Sequence, residues 1–337
     1  MRDTTDRILE LIQNKATAKK IKVGVFADIN NTPDSRILLN ENTNFPIASA
    51  FKIALLMDIE NKIHNGHIAV IDKLKLHEYH KVPGSVLLKF HEGSEFSIDF
   101  LLTKIFSYSD NGATDILGEY LGWDSIVKSL PQISPLLMPY IMPTKLMMLV
   151  ECNLWDEFRN KSVEKQIDLW NNADTKLKME IVLNNYHKLK NLSPDEIQTA
   201  SDNYDSRLTI INRKLLVQNI GWQGTPGKWG ELISKIANDD FLDPARLKFI
   251  RNYLKLGGSG LLWSSINTPE LIECGRKGGS HEGIRCDMGY AKFKNKKTIS
   301  LVIMTQEQTP IENKLDEMEN FIEDISRLIL NHYELCK

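Results

Sequence analysis

Ser49 and Lys52, in the stretch NFPIASAFKI at residues 44–53, stand three residues apart. On a helix that spacing places them on one face, one turn apart. A serine hydroxyl attacks a carbonyl only when a base takes its proton. A lysine can be that base where burial and nearby positive charge depress its pKa. A serine that opens a helix also lies where free backbone N–H groups point outward, ready to hold an oxyanion. The chemistry on offer is acyl transfer through a covalent ester. The spacing alone is common, since Ser-x-x-Lys recurs at Ser125/Lys128 and Ser162/Lys165, so neighbouring text must single out one pair.

The elements that would position this pair can be read from periodicity. Residues 21–28, IKVGVFAD, place Ile21, Val23, Val25 and Ala27 on one side and read as a strand. NNTPDS is turn chemistry and RILL reads as the returning strand of a hairpin. From Ser49 the run FKIALLMDIENKI is apolar with helical spacing and has no internal Pro or Gly, while Pro46 stiffens its approach. Helical patterns then continue to about residue 257 with no convincing strand. At the far end ELIECGRKGGS, DMGYAKF and TISLVIMT read as three strands, followed by a helix with Leu315, Met318, Phe321, Ile322, Ile325, Leu328 and Ile329 spaced three and four apart. Strands at both ends and helices between predict an α+β fold: one antiparallel sheet flanked by the terminal helices, with an all-helical domain inserted. The expected boundaries are residues 1–48 with 258–337 for the sheet domain and 49–257 for the helical domain, KLGGSG at 255–260 being the return crossing.

Two further stretches carry polar groups suited to the serine. FSYSDNGATDIL holds Ser109-Asp110-Asn111 ahead of an apolar helical run, and IECGRKGGSHEGIRCD holds Lys277-Gly278-Gly279 at the end of an expected strand. Ser-x-x-Lys, Ser-Asp-Asn and Lys-Thr-Gly, in that order, are the motif set of class A β-lactamases and penicillin-binding proteins. With FPIASAFKIALL, the VPGSVLLKF…NGATDIL stretch and the segment from Lys277 to Asp287, roughly residues 5–150 and 222–335 resemble class A β-lactamases and related serine hydrolases. A second Ser-Asp-Asn at Ser201–Asn203 lacks the flanking pattern.

The resemblance implies roles. Ser49 would form an acyl-enzyme, and Lys52 would accept its proton or tune the site electrostatically. Ser109, with Lys277, would pass a proton to the leaving nitrogen. Asn111 would bond the acyl side-chain amide of the substrate. Gly279 stands in the strand triplet, and the N–H groups of Ser49 and Ser280 would form the oxyanion hole. Lys277 and Arg285 would attract a substrate carboxylate, with an exposed strand-end charge as the alternative for Arg285.

The pattern breaks at two places. The family's Glu-x-x-Leu-Asn, whose carboxylate activates the deacylating water, is absent from its usual position. Glu151, after PTKLMMLV, and Glu180, in EIVLN, are the two candidates, Glu151 being preferred because Glu180 lies in a charged helical stretch at about 152–221 that looks like an insertion. That stretch could cap the site, mediate self-association or decorate the helical domain. Gly278 replaces the usual Thr or Ser, whose hydroxyl contacts the β-lactam carboxylate in the family. The implied activity is hydrolysis of an amide or ester, β-lactams first. The alternatives are an intracellular amidase, esterase or acyltransferase, a penicillin-binding protein, or a non-catalytic interaction protein.

Composition excludes several other classes. A net charge of −2 over 337 residues with interspersed signs offers no electrostatic case for nucleic acid or anionic membrane. The expected partner is a small-molecule substrate, with no cofactor and no metal; the sequence leaves the oligomeric state open. No run approaches a membrane span, and the opening MRDTTDRILELIQ reads as an amphipathic helix rather than a signal peptide. The chain as written therefore points to the cytoplasm, or to the periplasm if an export segment has been removed. Cys152, Cys274, Cys286 and Cys336 form no C-x-x-C pair and read as free thiols. His77 and His80 lack a third ligand and read as surface residues, His281 stands at the site's edge, and Trp155, Trp170, Trp222 and Trp229 read as packing.

Overall fold

The structure, a computed structural model, describes residues 2–133, 137–138, 140–152, 155, 158, 161–202, 210–239, 242–266, 269–309 and 314–335. Asn203 and Cys336 lie outside the described residues. The chain divides into two compact units, residues 1–51 with 223–337, and residues 52–222.

The first unit begins with α1 (Arg2–Lys19), β1 (Ile21–Ile29), β2 (Ile37–Leu39) and β3 (Phe45–Pro46), and reaches a short 3₁₀ turn, Ala48–Phe51. The chain then builds the second unit: α2 (Lys52–His64), β4 (Lys73–Lys75), β5 (Glu95–Ser97), α3 (Ile98–Tyr108), α4 (Asn111–Leu121), α5 (Trp123–Ile133) and α6 (Thr144–Glu151), then α7 (Val163–Asn172), α8 (Thr175–Leu189), α9 (Pro194–Asp202) and α10 (Ile210–Ile220). It returns to the first unit through β6 (Gln223–Gly224), α11 (Pro226–Asn238), α12 (Pro244–Lys255), β7 (Leu271–His281), β8 (Ile284–Phe293), β9 (Thr298–Glu307) and α13 (Leu315–His332).

In the first unit the five long strands form one antiparallel sheet in the order β2-β1-β9-β8-β7, which leaves β7 at an edge. The two termini meet directly, Val23 opposite Thr305 and Ala27 opposite Leu301. Because strand side chains alternate, Val23, Val25, Leu301 and Ile303 face one side, where they bury with Ile12 of α1 and Phe321, Ile322, Ile325 and Ile329 of α13. Each such side chain contributes about 2 kcal/mol. The three- and four-residue spacing of the last helix is thus the sheet's missing layer.

The opposite face carries α11, which the sequence had assigned to the helical domain. A Cβ on Gly230 of α11 would lie 2.1 Å from the Phe26 ring of β1, so helix and sheet approach at a distance only glycine permits. Thr225 caps α11 by accepting from Lys228 N–H, Pro226 opens its first turn, and Trp229, Leu232, Ile233 and Ile236 bury at helical spacing. The return crossing therefore falls at 222/223 rather than at 255–260. An amphipathic face shows that a helix packs, but not on which partner. The strandless reading of 49–257 is also corrected: β4 pairs with β5 over three residues and β6 with β3 over two, lengths too short for period two to register.

In the second unit α7 to α10, the expected insertion, dock on the helices before them. Trp155 and Trp170 are fully buried with ring centroids 5.5 Å apart, and Tyr140 meets Trp170 edge-on. The buried Lys145 ammonium of α6 donates to the carbonyls of Tyr79 and Leu192, at 2.9 and 2.7 Å, and Lys190 pairs with Glu119 at 2.7 Å. Among the described residues no helix is long and apolar enough to cross a membrane.

Candidate functional site

Ser49 lies in the 3₁₀ turn Ala48–Phe51, which runs directly into α2. The residue before it, Ala48, has φ 42°, in the left-handed region that side chains disfavour by about 1–2 kcal/mol. Strain of that kind persists where surrounding contacts fix the backbone, and here two do. The Cys286 thiol of β8 donates to the Ile47 carbonyl at 3.0 Å. Burial pushes that thiol up to about 12, so it keeps the proton it donates. On β7, a Cβ at Gly279 would lie 2.0 Å from the Ile47 carbonyl oxygen and 3.0 Å from the Ala50 nitrogen. Gly279 is therefore required for the strand to approach the serine's turn, and the exposed Ser280 follows it. Cys286 held no sequence signal for this role, because only the β7–β8 register brings it opposite Gly279.

Lys277 is buried on the same face of β7 and donates to the Gly278 carbonyl at 2.8 Å. Burial, with the Arg276 guanidinium as the next cause, lowers its ammonium to about 7. The unfolded chain therefore binds the proton more tightly than the folded one, and stability rises with pH between about 7 and the free lysine value of about 10.4. Lys277→Met accordingly raises the melting temperature most near pH 6, and its advantage shrinks towards pH 10. A pH-independent difference in thermal melts would contradict this. Arg285 is placed elsewhere. It is registered with Ser280, one residue out of phase with Lys277 and so on the other face. There it pairs with Glu319 of α13 at 2.9 Å.

In the second unit, Lys52 opens α2 with its side chain fully buried. Its Nζ donates to the Ser109 carbonyl at 2.6 Å, Ser109 Oγ at 3.3 Å and Asn111 Oδ1 at 2.8 Å. An ammonium, with three N–H donors, suits acceptors of this kind. Ser109 can offer both its oxygens because it caps α3 in the left-handed conformation, φ 56°. Asp110, between them, is structural. It caps α4 through the Ala113 N–H at 2.7 Å and accepts from the Ser85 hydroxyl and, at 2.6 Å, the Val86 N–H. Lys52 holds the Asn111 amide by its Oδ1. The spacing of Ser-Asp-Asn is thus a helix end, a cap and a helix start.

Glu151 is not brought to this group. Thr144 Oγ1 at the start of α6 donates to the Asn111 carbonyl, whereas Glu151 ends that helix seven residues on, roughly 10 Å along its axis. There it accepts from Arg213 of α10 at 3.0 and 3.2 Å. Glu180 is exposed on α8, with Lys176 at 3.9 Å. A buried carboxylate that feels the Lys52 charge is Asp115. It accepts from the Thr144 and Lys145 N–H groups and the Thr144 hydroxyl, and burial raises it to about 6. His80 is buried against Glu119 rather than exposed, because its Nδ1 already accepts from His77 N–H and its Nε2 points inward. Among the described residues no group of His, Cys, Asp and Glu could hold a metal, and Cys152, Cys274 and Cys286 form no disulfide.

Comparison with known proteins places these features in context. The model of the β-lactamase enzyme family matches residues 4–133 and 154–333. It leaves out the stretch with α6 and Glu151, and it runs through α7 to α10, so the residues outside the match are not those taken as an insertion. The β-lactamase VEB-1 of Pseudomonas aeruginosa is 27% identical over 130 residues, which cover 37% of this chain and 43% of that protein; the match spans less than half of the curated relative. The class A β-lactamase from Bacteroides cellulosilyticus superposes with TM-score 0.66 at 17% identity, covering 98% of both chains. An acyl-enzyme complex of PBP-A with penicillin G superposes with TM-score 0.62 at 13% identity, covering 99% of this chain and 97% of that one. At such identities the structural likeness shows the fold.

Proposed function

We propose, on the premise that this chain belongs to the β-lactamase enzyme family, that it is a serine hydrolase that opens β-lactams through an acyl-Ser49 intermediate. The observation that supports this best is the Lys52 ammonium bonded at once to Ser109 and Asn111, three residues after a serine on a strained turn. Ser49 Oγ bonds to the lactam carbonyl carbon as the C–N bond breaks. Its proton passes by way of Lys52 and Ser109 to the departing nitrogen, so no net charge is created. The N–H groups of Ser49 and Ser280 hold the developing oxyanion, each worth about 3 kcal/mol in such sites. The Asn111 amide positions the acyl side chain, and the Lys277 ammonium attracts the anionic end of the substrate. Burst kinetics with nitrocefin test this reading: one equivalent of product forms rapidly, followed by turnover, and no burst and no turnover would contradict it.

A second reading of the release step rests on a specific observation. The sequence holds no Asp or Glu between Asp124 and Glu151, and α6 meets Asn111 at its first residue, Thr144, while Glu151 at its far end is engaged by Arg213. Among the described residues Glu151 then offers no carboxylate base to water near the ester, a contribution of about 10²- to 10⁴-fold. The acyl-enzyme would be long-lived and able to pass its acyl group to an amine. Glu151→Gln separates the two readings: the deacylation rate stays within about twofold while the melting temperature falls, because the charged bond to Arg213 is weakened. A hundredfold slower deacylation would instead make Glu151 the base.

A further inference from the structure

Gly278 stands where a hydroxyl residue is usual, and the space it leaves is occupied. A Cβ built on Gly278 would lie 2.3 Å from Nη2 of Arg276. The guanidinium is fixed in that place from three sides. Its Nε donates to the buried Asp287 carboxylate at 2.7 Å, and its Nη1 donates to the Gly257 carbonyl at 3.0 Å. Gly260, at φ 50°, makes room for it, since a Cβ there would lie 2.2 Å from Cζ. Asp287 is itself held by the Leu261 N–H at 3.2 Å. The glycines of KLGGSG thus form a slot for one arginine. Among the described residues Nη2 makes no hydrogen bond, and the side chain keeps 14% of its surface exposed.

The slot opens at the edge of the sheet. Arg276, Gly278 and Ser280 share one face of β7, while Lys277 and Gly279 share the other. Because β7 is an edge strand, a molecule lying along it is reached from both faces at once, by an ammonium on one and a guanidinium on the other. Gly279 touches the turn that carries Ser49, so this position lies within a residue or two of the nucleophile. We propose that Arg276, through Nη2, takes the place of the missing hydroxyl at 278 and reads an anionic group, a carboxylate, on the acyl donor. The assignment rests on the acyl-Ser49 reading. A guanidinium already immobilised by Asp287, Gly257 and Gly260 loses little further freedom on binding, and its bond to a carboxylate is charge-assisted.

The test compares benzylpenicillin with its methyl ester, which keeps the scaffold and lacks the charge, following acylation by intact mass. Wild type reacts with the acid roughly 10- to 100-fold faster than with the ester, the range of a charged hydrogen bond. Arg276→Ala narrows that preference about tenfold by slowing the acid while the ester stays within about twofold, the remainder being due to Lys277, and Gly278→Ser in the Arg276→Ala background restores part of the loss. Since Arg276→Ala leaves Asp287 buried without its partner, Arg276→Ala with Asp287→Asn serves as the folded control, checked by thermal melt. An equal fall for acid and ester, or no preference in wild type, overturns the assignment alone if a fluorophosphonate still labels Ser49. No labelling of Ser49 by any of the three reagents overturns the acyl-Ser49 reading and this assignment with it.

Discussion

Ser49→Ala lowers nitrocefin turnover by about 10⁴-fold or more and abolishes the mass adduct with benzylpenicillin, while KM for residual activity and the melting temperature barely move. The magnitude follows from removing the atom that forms the ester, after which only binding and oxyanion stabilisation remain. The small structural effect follows from the site: Ser49 is partly exposed, and its turn is held through Ile47 by Cys286 and Gly279 rather than by the hydroxyl. Ser125→Ala and Ser162→Ala, at the two other Ser-x-x-Lys positions, leave turnover unchanged. Ser162 caps α7 by accepting from Lys165 N–H, and Ser125 accepts from Lys62; neither is beside a buried lysine of its own triplet. Loss of the adduct in either variant would contradict the choice of pair.

Lys52→Met is expected to slow acylation by about 10³-fold, towards the upper part of what one positioned acid–base group contributes. The side chain fits the same buried volume, but the Ser109 carbonyl and Asn111 Oδ1 lose their shared donor. Two unsatisfied acceptors destabilise, while removal of a buried charge stabilises, so the terms oppose and the net change in melting temperature is small. Lys52→Arg does not restore the rate, because a planar fork cannot direct three donors to the tetrahedral positions that Ser109 and Asn111 occupy. Stopped-flow acylation with nitrocefin measures both variants, and a loss under tenfold in Lys52→Met would remove Lys52 from the proton path.

These expectations show how far the amino-acid order alone carries. The grouping of Lys52 with Ser109 and Asn111 was legible because each belongs to a short motif whose spacing is local: a helix start, or a helix end followed by a helix start. The sheet was legible from period two at both termini, and the last helix from its stripe. What stayed hidden depends on tertiary placement. Glu151 followed a plausible string, yet the far end of α6 sets it against Arg213. Arg285 read either as a carboxylate partner or as an exposed strand-end charge, and only strand alternation puts it on the face opposite Lys277, against Glu319. Gly278 read as a lost hydroxyl, whereas the residue two places earlier fills its space. Helices α11 and α12 read as helices but not as the sheet's own, because Gly230 reveals its reason only beside Phe26.

The claim on which the account depends is that Ser49 becomes covalently acylated. Wild-type protein mixed with benzylpenicillin, quenched in acid, digested and mapped by tandem mass spectrometry tests it directly. One equivalent of penicilloyl group is expected on the peptide containing NFPIASAFKI, with the modification on Ser49. A modification on another residue, or substrate consumed while this peptide stays unmodified at every quench time, would contradict it.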